Sequence, residues 1–190
     1  GSIFDAVGYP QEHMDYAYEN GMDALALTDH GNMNGLAYQV LHAKKMHDDG
    51  KEFKPIYGVE AYFTPSIDAW RETYEAAKEK KGKDSSQTGT TIEDEAASKK
   101  AIKNLLNERR HLILLAQNQT GLNNLFKLIS ESFRTENFYR YPRIDYALLK
   151  KYNEGIIAAS ACLGGVYAGD YWDNREEGED AILEAMRKTT

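Results

Sequence analysis

The clearest fold signal in the sequence is the stretch Ala24-Leu25-Ala26-Leu27-Thr28-Asp29-His30-Gly31-Asn32-Met33-Asn34-Gly35. Four consecutive apolar residues are typical of a strand that is buried on both faces. The run ends at Asp29 and His30, an ionisable pair at the carboxyl end of the strand, where α/β folds place ligands and metals. The alternative is a solvated strand-to-loop turn in which Gly31 supplies a positive φ angle.

The composition is that of an ordinary globular domain. The 190 residues are 42% hydrophobic and 28% charged, which is enough for one sizeable domain with a buried core. No apolar run approaches the roughly 20 residues of a membrane-spanning helix, and no secretory signal pattern opens the chain. Cys162 is the single cysteine, so no internal disulfide points to an oxidising compartment. We therefore expect a cytoplasmic protein without a membrane partner.

The net charge of −7 bears on the partners of the protein. Surfaces that wrap duplex DNA neutralise its phosphates with an excess of Lys and Arg, whereas this chain carries more acidic than basic residues. The charge therefore argues against unaided DNA binding. It leaves open a metal site that acts on a phosphate group.

Helix and strand patterns alternate along the chain. Hydrophobic periodicity predicts helices over residues 9–20, 33–47, 118–133, 145–152 and 175–188. Apolar runs predict strands at residues 24–27, 54–63, 110–116 and 155–165. Residues 64–107 are rich in Glu and Lys, and we interpret them as a charged, partly flexible insertion. Repeated strands that end in a polar residue and lead into a helix predict a parallel α/β barrel or sheet.

Five potential metal ligands border the predicted strands: Asp29, His30, Glu60, His111 and Cys162. Imidazole, carboxylate and thiolate groups are the ligands of zinc and other divalent transition metals. Taken singly, His111 has an alternative as a core histidine, Glu60 as half of an ion pair, and Cys162 as a small buried hydrophobe. Their shared position beside strands favours one site at a common edge.

Five ordered stretches carry a family resemblance: Thr28-Asp29-His30-Gly31, Gly58-Val59-Glu60-Ala61-Tyr62, His111-Leu112-Ile113-Leu114-Leu115-Ala116, Tyr141-Pro142-Arg143-Ile144-Asp145 and Cys162-Leu163-Gly164-Gly165. In order and spacing they resemble the motifs of the PHP (polymerase and histidinol phosphatase) domain. The form they resemble stands at the amino terminus of bacterial replicative DNA polymerase III alpha subunits. The resemblance implies a distorted (β/α)7 TIM-like barrel with up to three metal ions at the carboxyl ends of its strands.

The resemblance also implies a ligand set. By matching motif, the metal ligands are His30, Glu60, His111 and Cys162, together with Asp5, which resembles the acidic residue after the first strand of the family. The implied cofactors are divalent metal ions, drawn from Zn, Mn, Mg or Fe. Arg143 is a candidate phosphate contact, with a surface ion pair as the equal alternative.

Two parts of the family pattern have no counterpart in this sequence. The opening His-x-His would stand upstream of Ser2, and the closing Asp-x-His would follow Thr190. Val166 also stands where a Glu often follows the Leu-Gly-Gly turn. We therefore expect a barrel truncated at both ends, which binds one metal weakly or none and self-associates through unpaired edge strands.

The implied function is that of the N-terminal PHP domain of a replicative DNA polymerase, a nucleotidyltransferase. The retained ligands favour a metal-dependent phosphoesterase or 3′–5′ exonuclease that proofreads within the full-length protein. Two alternatives stay open: a non-catalytic module that stabilises the polymerase and docks a separate exonuclease, and a free-standing PHP phosphatase. The implied partners are DNA, bound through the full-length polymerase, and other replisome subunits.

Overall fold

A mixed four-stranded sheet forms the centre of the fold in a computed structural model, which describes residues 7–83, 104 and 106–189. Its strands are β1 (Ala24–Leu27), β2 (Lys54–Phe63), β3 (Arg110–Ala116) and β6 (Ile156–Ser160). They lie in the order β1-β2-β3-β6, which puts β1 and β6 at the edges of the described sheet. A separate two-stranded ribbon consists of β4 (Phe138–Tyr139) and β5 (Tyr141–Pro142).

Helices lie between and after these strands, most of them close to the predicted positions, whereas the helix at 166–174 was not predicted. They are α1 (Pro10–Glu19), α2 (Leu36–Asp48), α3 (Ile67–Lys83), α4 (Gln119–Ser132), α5 (Tyr146–Lys151), α6 (Val166–Asn174) and α7 (Glu179–Thr189). The residues at the helix ends determine where the helices begin. Pro10 is the first residue of α1, a position where the missing N–H removes no helical hydrogen bond. The Asn118 and Asp145 side chains cap α4 and α5 by accepting backbone N–H bonds. Among the described helices, none is both long and apolar enough to cross a membrane.

The direction of β3 corrects the parallel sheet that the sequence predicts. β1 and β2 are parallel, with Ala26 opposite Ile56. β3 is antiparallel to both of its neighbours, so that Ile113 lies opposite Glu60 of β2 and opposite Ala159 of β6. The described strands therefore form an open, mixed sheet. The prediction was wrong because an apolar run indicates a strand but does not indicate whether the strand pairs in a parallel or an antiparallel direction.

The main hydrophobic core lies between one face of the sheet and α4. Val59, Ala61 and Phe63 alternate along β2 and pack in one buried cluster with Leu125 and Leu128 of α4. Burying a leucine side chain fully contributes about 1.5–3 kcal/mol, so this face anchors the sheet. Because successive side chains of a strand point to opposite faces, Glu60 and Tyr62 of β2 lie on the other face.

One further prediction needs correction. β1 is not buried on both faces, because Ala26 is exposed and its neighbours in the strand are only half-buried. The insertion predicted at 64–107 stays a prediction, and its described part includes α3, whose residues Ile67, Trp70 and Ala77 are buried. Residues 84–103 and 105 of the predicted insertion lie outside the described residues.

Candidate metal centre

Three of the predicted ligands meet at one edge of the sheet. His30 follows β1, Glu60 lies in β2, and His111 is the second residue of β3. The backbone joins the first two, since the Gly31 N–H donates to the Glu60 carbonyl at 2.9 Å and the Glu60 N–H donates to the Asp29 carbonyl at 3.0 Å. Because β3 runs opposite to β2, its first residues lie at the edge where β1 and β2 end.

The Glu60 carboxylate lies between the two imidazoles. Its Oε1 atom is 2.9 Å from His111 Nδ1, and its Oε2 atom is 3.6 Å from His30 Nε2. The three potential ligand atoms all lie within 4.8 Å of one another. The side chains are 13% exposed for Glu60, 19% for His111 and 22% for His30, so the cluster is partly shielded from solvent and still accessible to a small ion.

Cys162 lies at the rim of this cluster. Its Sγ atom is 3.5 Å from His111 Nδ1 and 3.8 Å from Glu60 Oε1, and it accepts the Gly164 N–H at 3.4 Å. The residue is exposed and is not in a disulfide. The structure thus brings together His30, Glu60, His111 and Cys162, while Asp5 lies outside the described residues.

Asp29, the remaining candidate, supports the loop that carries His30. Its buried carboxylate accepts the Gly35 N–H through Oδ2 at 2.8 Å, which closes the turn from 29 to 35. Gly31 lies in this turn at φ +65°, and a Cβ there would lie 2.8 Å from Cε2 of Tyr62. The positive φ angle considered from the sequence is therefore present, in a turn that also places a ligand.

Burial lowers the pKa of His111, and the neighbouring Glu60 carboxylate opposes this shift. His30 and Arg109 act in the same direction as burial, because positive charge nearby disfavours a second cation. The lowered pKa of His111 favours its neutral imidazole, which is the form that binds metal ions.

The donor set fits a divalent transition metal. Two imidazoles and one carboxylate, supplied by β2, β3 and the loop after β1, form a common arrangement of protein ligands that leaves further positions open. A thiol beside them adds a soft donor, which Zn²⁺ and Fe²⁺ accept readily. His30, Glu60 and His111 are therefore the residues that could hold an ion, with Cys162 as a fourth donor at the rim.

Comparison with known proteins places this arrangement in a family. The PHP domain family matches residues 1–189. The chain belongs to the PHP domain family. DNA polymerase III subunit alpha of Aquifex aeolicus is 38% identical over 165 residues, which are 87% of this chain and 12% of that protein.

Two further relatives carry the same name. DNA polymerase III subunit alpha of Borreliella burgdorferi is 34% identical over 183 residues, covering 96% of this chain and 13% of the relative. The Deinococcus radiodurans protein of that name is 34% identical over 165 residues, covering 87% and 10%. This PHP domain therefore spans about a tenth of the length of the curated relatives it matches.

Arg143 has a different position from the one expected of a phosphate contact or a surface ion pair. It is 0% exposed. Its Nη1 atom donates to the Tyr139 and Tyr141 carbonyls at 3.0 and 3.1 Å, and its Nη2 atom donates to the Leu106 carbonyl at 2.6 Å. Burial, with the nearby charge of Arg109, lowers the pKa of Arg143 to about 10. In this PHP domain the guanidinium joins three backbone segments in the interior.

The sequence analysis missed the aromatic and cationic residues beside the cluster. The Tyr62 ring lies nearly parallel to the His30 ring at a centroid distance of 6.1 Å and is 5.4 Å from the His111 ring. Arg109 lies over Tyr141 and Tyr62. Side chains two residues apart along a strand lie on the same face. This alternation could have indicated both residues, since Tyr62 stands two residues after Glu60 and Arg109 stands two residues before His111.

A cavity of about 370 Å³ lies near the same end of β2 and β3. Its wall includes Phe63, Trp70 and Arg110, and Arg110 is paired there with Asp173. The wall contains none of the three clustered ligands. The candidate metal ligands therefore do not line the cavity, whereas Arg109, which contacts Tyr62, does.

Proposed function

We propose that this PHP domain belongs to a replicative DNA polymerase alpha subunit and that His30, Glu60 and His111 hold a divalent metal ion for phosphoester hydrolysis. The observation that carries the proposal is the convergence of three ligand atoms within 4.8 Å, from β2, β3 and the loop after β1. The names of the relatives support the polymerase assignment. With that assignment come DNA and other replisome subunits as partners.

We also propose that the open sheet is part of the distorted (β/α)7 barrel that the family resemblance implies. Support comes from β1, β2 and β6, which run in one direction, with a helix following β1, β2 and β6 along the chain. β3 departs from the all-parallel arrangement of an ideal barrel.

The chemistry we propose divides the work among residues of this chain. A divalent ion held at the cluster would supply a water molecule activated near neutral pH and a positive charge for phosphate oxygens. Glu60, which contacts both imidazoles, fixes their orientation and balances positive charge. Tyr62 covers one side of His30 and His111 and limits their access to water.

Release of nucleotides from a DNA primer end tests the proposed function. We expect the purified protein, loaded with Mn²⁺ or Zn²⁺, to shorten a primer with a mismatched 3′ end. Glu60→Gln keeps the size of the side chain but removes its charge, and the rate should fall at least 100-fold. Glu108→Gln is the matched control at an exposed position and should keep full activity. A wild-type protein that leaves every 3′ end intact would contradict the proposal.

A structural role is the second candidate. The ligands come from β2, β3 and the loop after β1. A bound ion would therefore hold these segments together, and such ions contribute directly to folding free energy. His30→Ala separates the two roles. Loss of nuclease activity with an unchanged unfolding transition supports catalysis, whereas loss of the folded state on metal removal supports the structural module.

A further inference from the structure

The guanidinium of Arg109 lies beside the candidate metal centre. The Cζ atom of Arg109 is 3.6 Å from the centroid of the Tyr141 ring and 5.0 Å from that of Tyr62. Its Nη1 atom donates to the Asn107 carbonyl at 3.0 Å. Within the described ranges of the chain, no carboxylate pairs with Arg109, and its Nη2 atom makes no hydrogen bond.

One aromatic ring separates this cation from the ligands. The Tyr62 ring that borders the Arg109 guanidinium also lies 5.4 Å from the His111 ring, centroid to centroid. Arg109 precedes His111 by two residues, which places the two side chains on the same face of the chain as it enters β3. The guanidinium therefore lies on the same side of the sheet as the ligand cluster.

The electrostatics of this position favour an anion. A half-buried charge without a partner costs free energy, and Arg109 is half-buried. Among the described residues, the Nη2 atom of the stacked guanidinium has no hydrogen-bond acceptor, and an arginine N–H donor of this kind matches a phosphate oxygen. This local positive charge stands out in a chain whose net charge is −7.

We propose that Arg109, seated on Tyr141 and Tyr62, binds the phosphate adjacent to the one at the metal centre, so that the substrate is a nucleotide chain. The proposal rests on the proposed function, because it takes the His30–Glu60–His111 cluster as the place of the reacting phosphate. The Tyr62 ring separates the Arg109 guanidinium from the metal ligands. This position suits the next phosphate along a nucleic-acid strand. A substrate with a single phosphate would leave Arg109 unused.

The test compares a nucleotide chain with a compact ester. Arg109→Gln and Arg109→Lys are assayed on a thymidine trinucleotide and on p-nitrophenyl phosphate with Mn²⁺. A charged hydrogen bond to phosphate implies that Arg109→Gln raises KM for the trinucleotide about 10- to 100-fold. Arg109→Lys should lie between, since it keeps the charge without the planar fork. Turnover of p-nitrophenyl phosphate should change less than about twofold, because it offers no second phosphate.

Arg134→Gln is the matched control, since Arg134 is exposed and paired with Glu131, and it should behave as wild type on both substrates. An equal loss of activity on both substrates in Arg109→Gln would overturn the proposal, because Arg109 would then only stabilise the structure of the metal centre. No loss on either substrate would overturn it as well.

A wild-type protein that hydrolyses neither substrate would contradict the proposed function, and trinucleotide binding measured by calorimetry then decides on Arg109. Binding that weakens about tenfold in Arg109→Gln but not in Arg134→Gln supports the subsite. Equal affinities for wild type and Arg109→Gln, or no binding to wild type, overturn it.

Discussion

Arg109 and Arg143 show at the residue scale how surroundings decide what a side chain does. Arg143 is fully buried and its terminal nitrogens donate to three backbone carbonyls, so it joins segments of the interior. Arg109 is half-buried, stacks on aromatic rings and keeps donors available. The sequence motif indicated Arg143 as the phosphate contact, although this side chain is buried among backbone carbonyls. A sequence pattern carries no information on how many carbonyls surround a side chain.

The first prediction concerns Arg143. Arg143→Met should destabilise the fold by about 2–4 kcal/mol, because buried carbonyls lose their donors. The measurement is the free energy of unfolding in urea. Arg134→Met, at an exposed position, should change stability by less than about 0.5 kcal/mol. Unchanged stability in Arg143→Met would show that the guanidinium is not needed in the interior.

The second prediction concerns pH and His111. The folded pKa of His111 lies below its ordinary value because of burial, so the unfolded chain binds more protons as the pH falls below about 6.5. The metal-free protein should therefore lose stability as the pH falls through this window, and His111→Gln should lose less. Unfolding in urea at pH 7.5, 6.5 and 5.5 measures both slopes. Identical slopes would contradict the lowered pKa.

At the scale of elements, the positions of the four strands of the main sheet could be predicted from the sequence, whereas their directions and the short strands β4 and β5 could not. The apolar runs at β1, β2, β3 and β6 located the strands because strand residues alternate or cluster by burial. Only the antiparallel course of β3 brings His111, at the start of its strand, to the edge where His30 follows the end of β1. Pairing between strands distant in sequence decides this direction, and no local pattern records it.

The third prediction concerns the turn after β1. Gly31 and Gly50 both have positive φ angles, +65° and +77°, but only a Cβ on Gly31 would meet neighbours, Tyr62 and Pro142. Gly50→Ala should therefore cost about 1 kcal/mol from backbone strain alone. Gly31→Ala should cost more and weaken metal binding, because Tyr62 or the turn that carries His30 must shift. Urea unfolding and metal titration measure the two effects. Equal losses of unfolding free energy in Gly31→Ala and Gly50→Ala would mean that the turn after β1 is not tightly packed.

At the scale of the whole molecule, the described sheet has an exposed edge at β6. Ile157 of this strand is 49% exposed, and an edge strand offers unpaired N–H and C=O groups to another chain. The self-association expected from the sequence stays a prediction with this edge as its structural basis.

The fourth prediction follows from that edge. The 190-residue chain should form dimers or larger species in sedimentation velocity at micromolar concentration, and Ile157→Lys should shift it towards the monomer, since a charge on an edge strand opposes pairing. Val40→Lys is the matched control on α2, where an apolar side chain is also exposed. Equal sedimentation of both variants and wild type would remove β6 from the association surface.

The central claim is that His30, Glu60 and His111 form one metal site, and elemental analysis of the purified protein tests it most directly. Wild type should carry zinc, manganese or iron in a fixed ratio to protein, and His30→Ala should lose it. His13→Ala, which removes an exposed histidine of α1, should keep the metal. Protein without metal, or a His30→Ala variant that keeps it in full, would contradict the account.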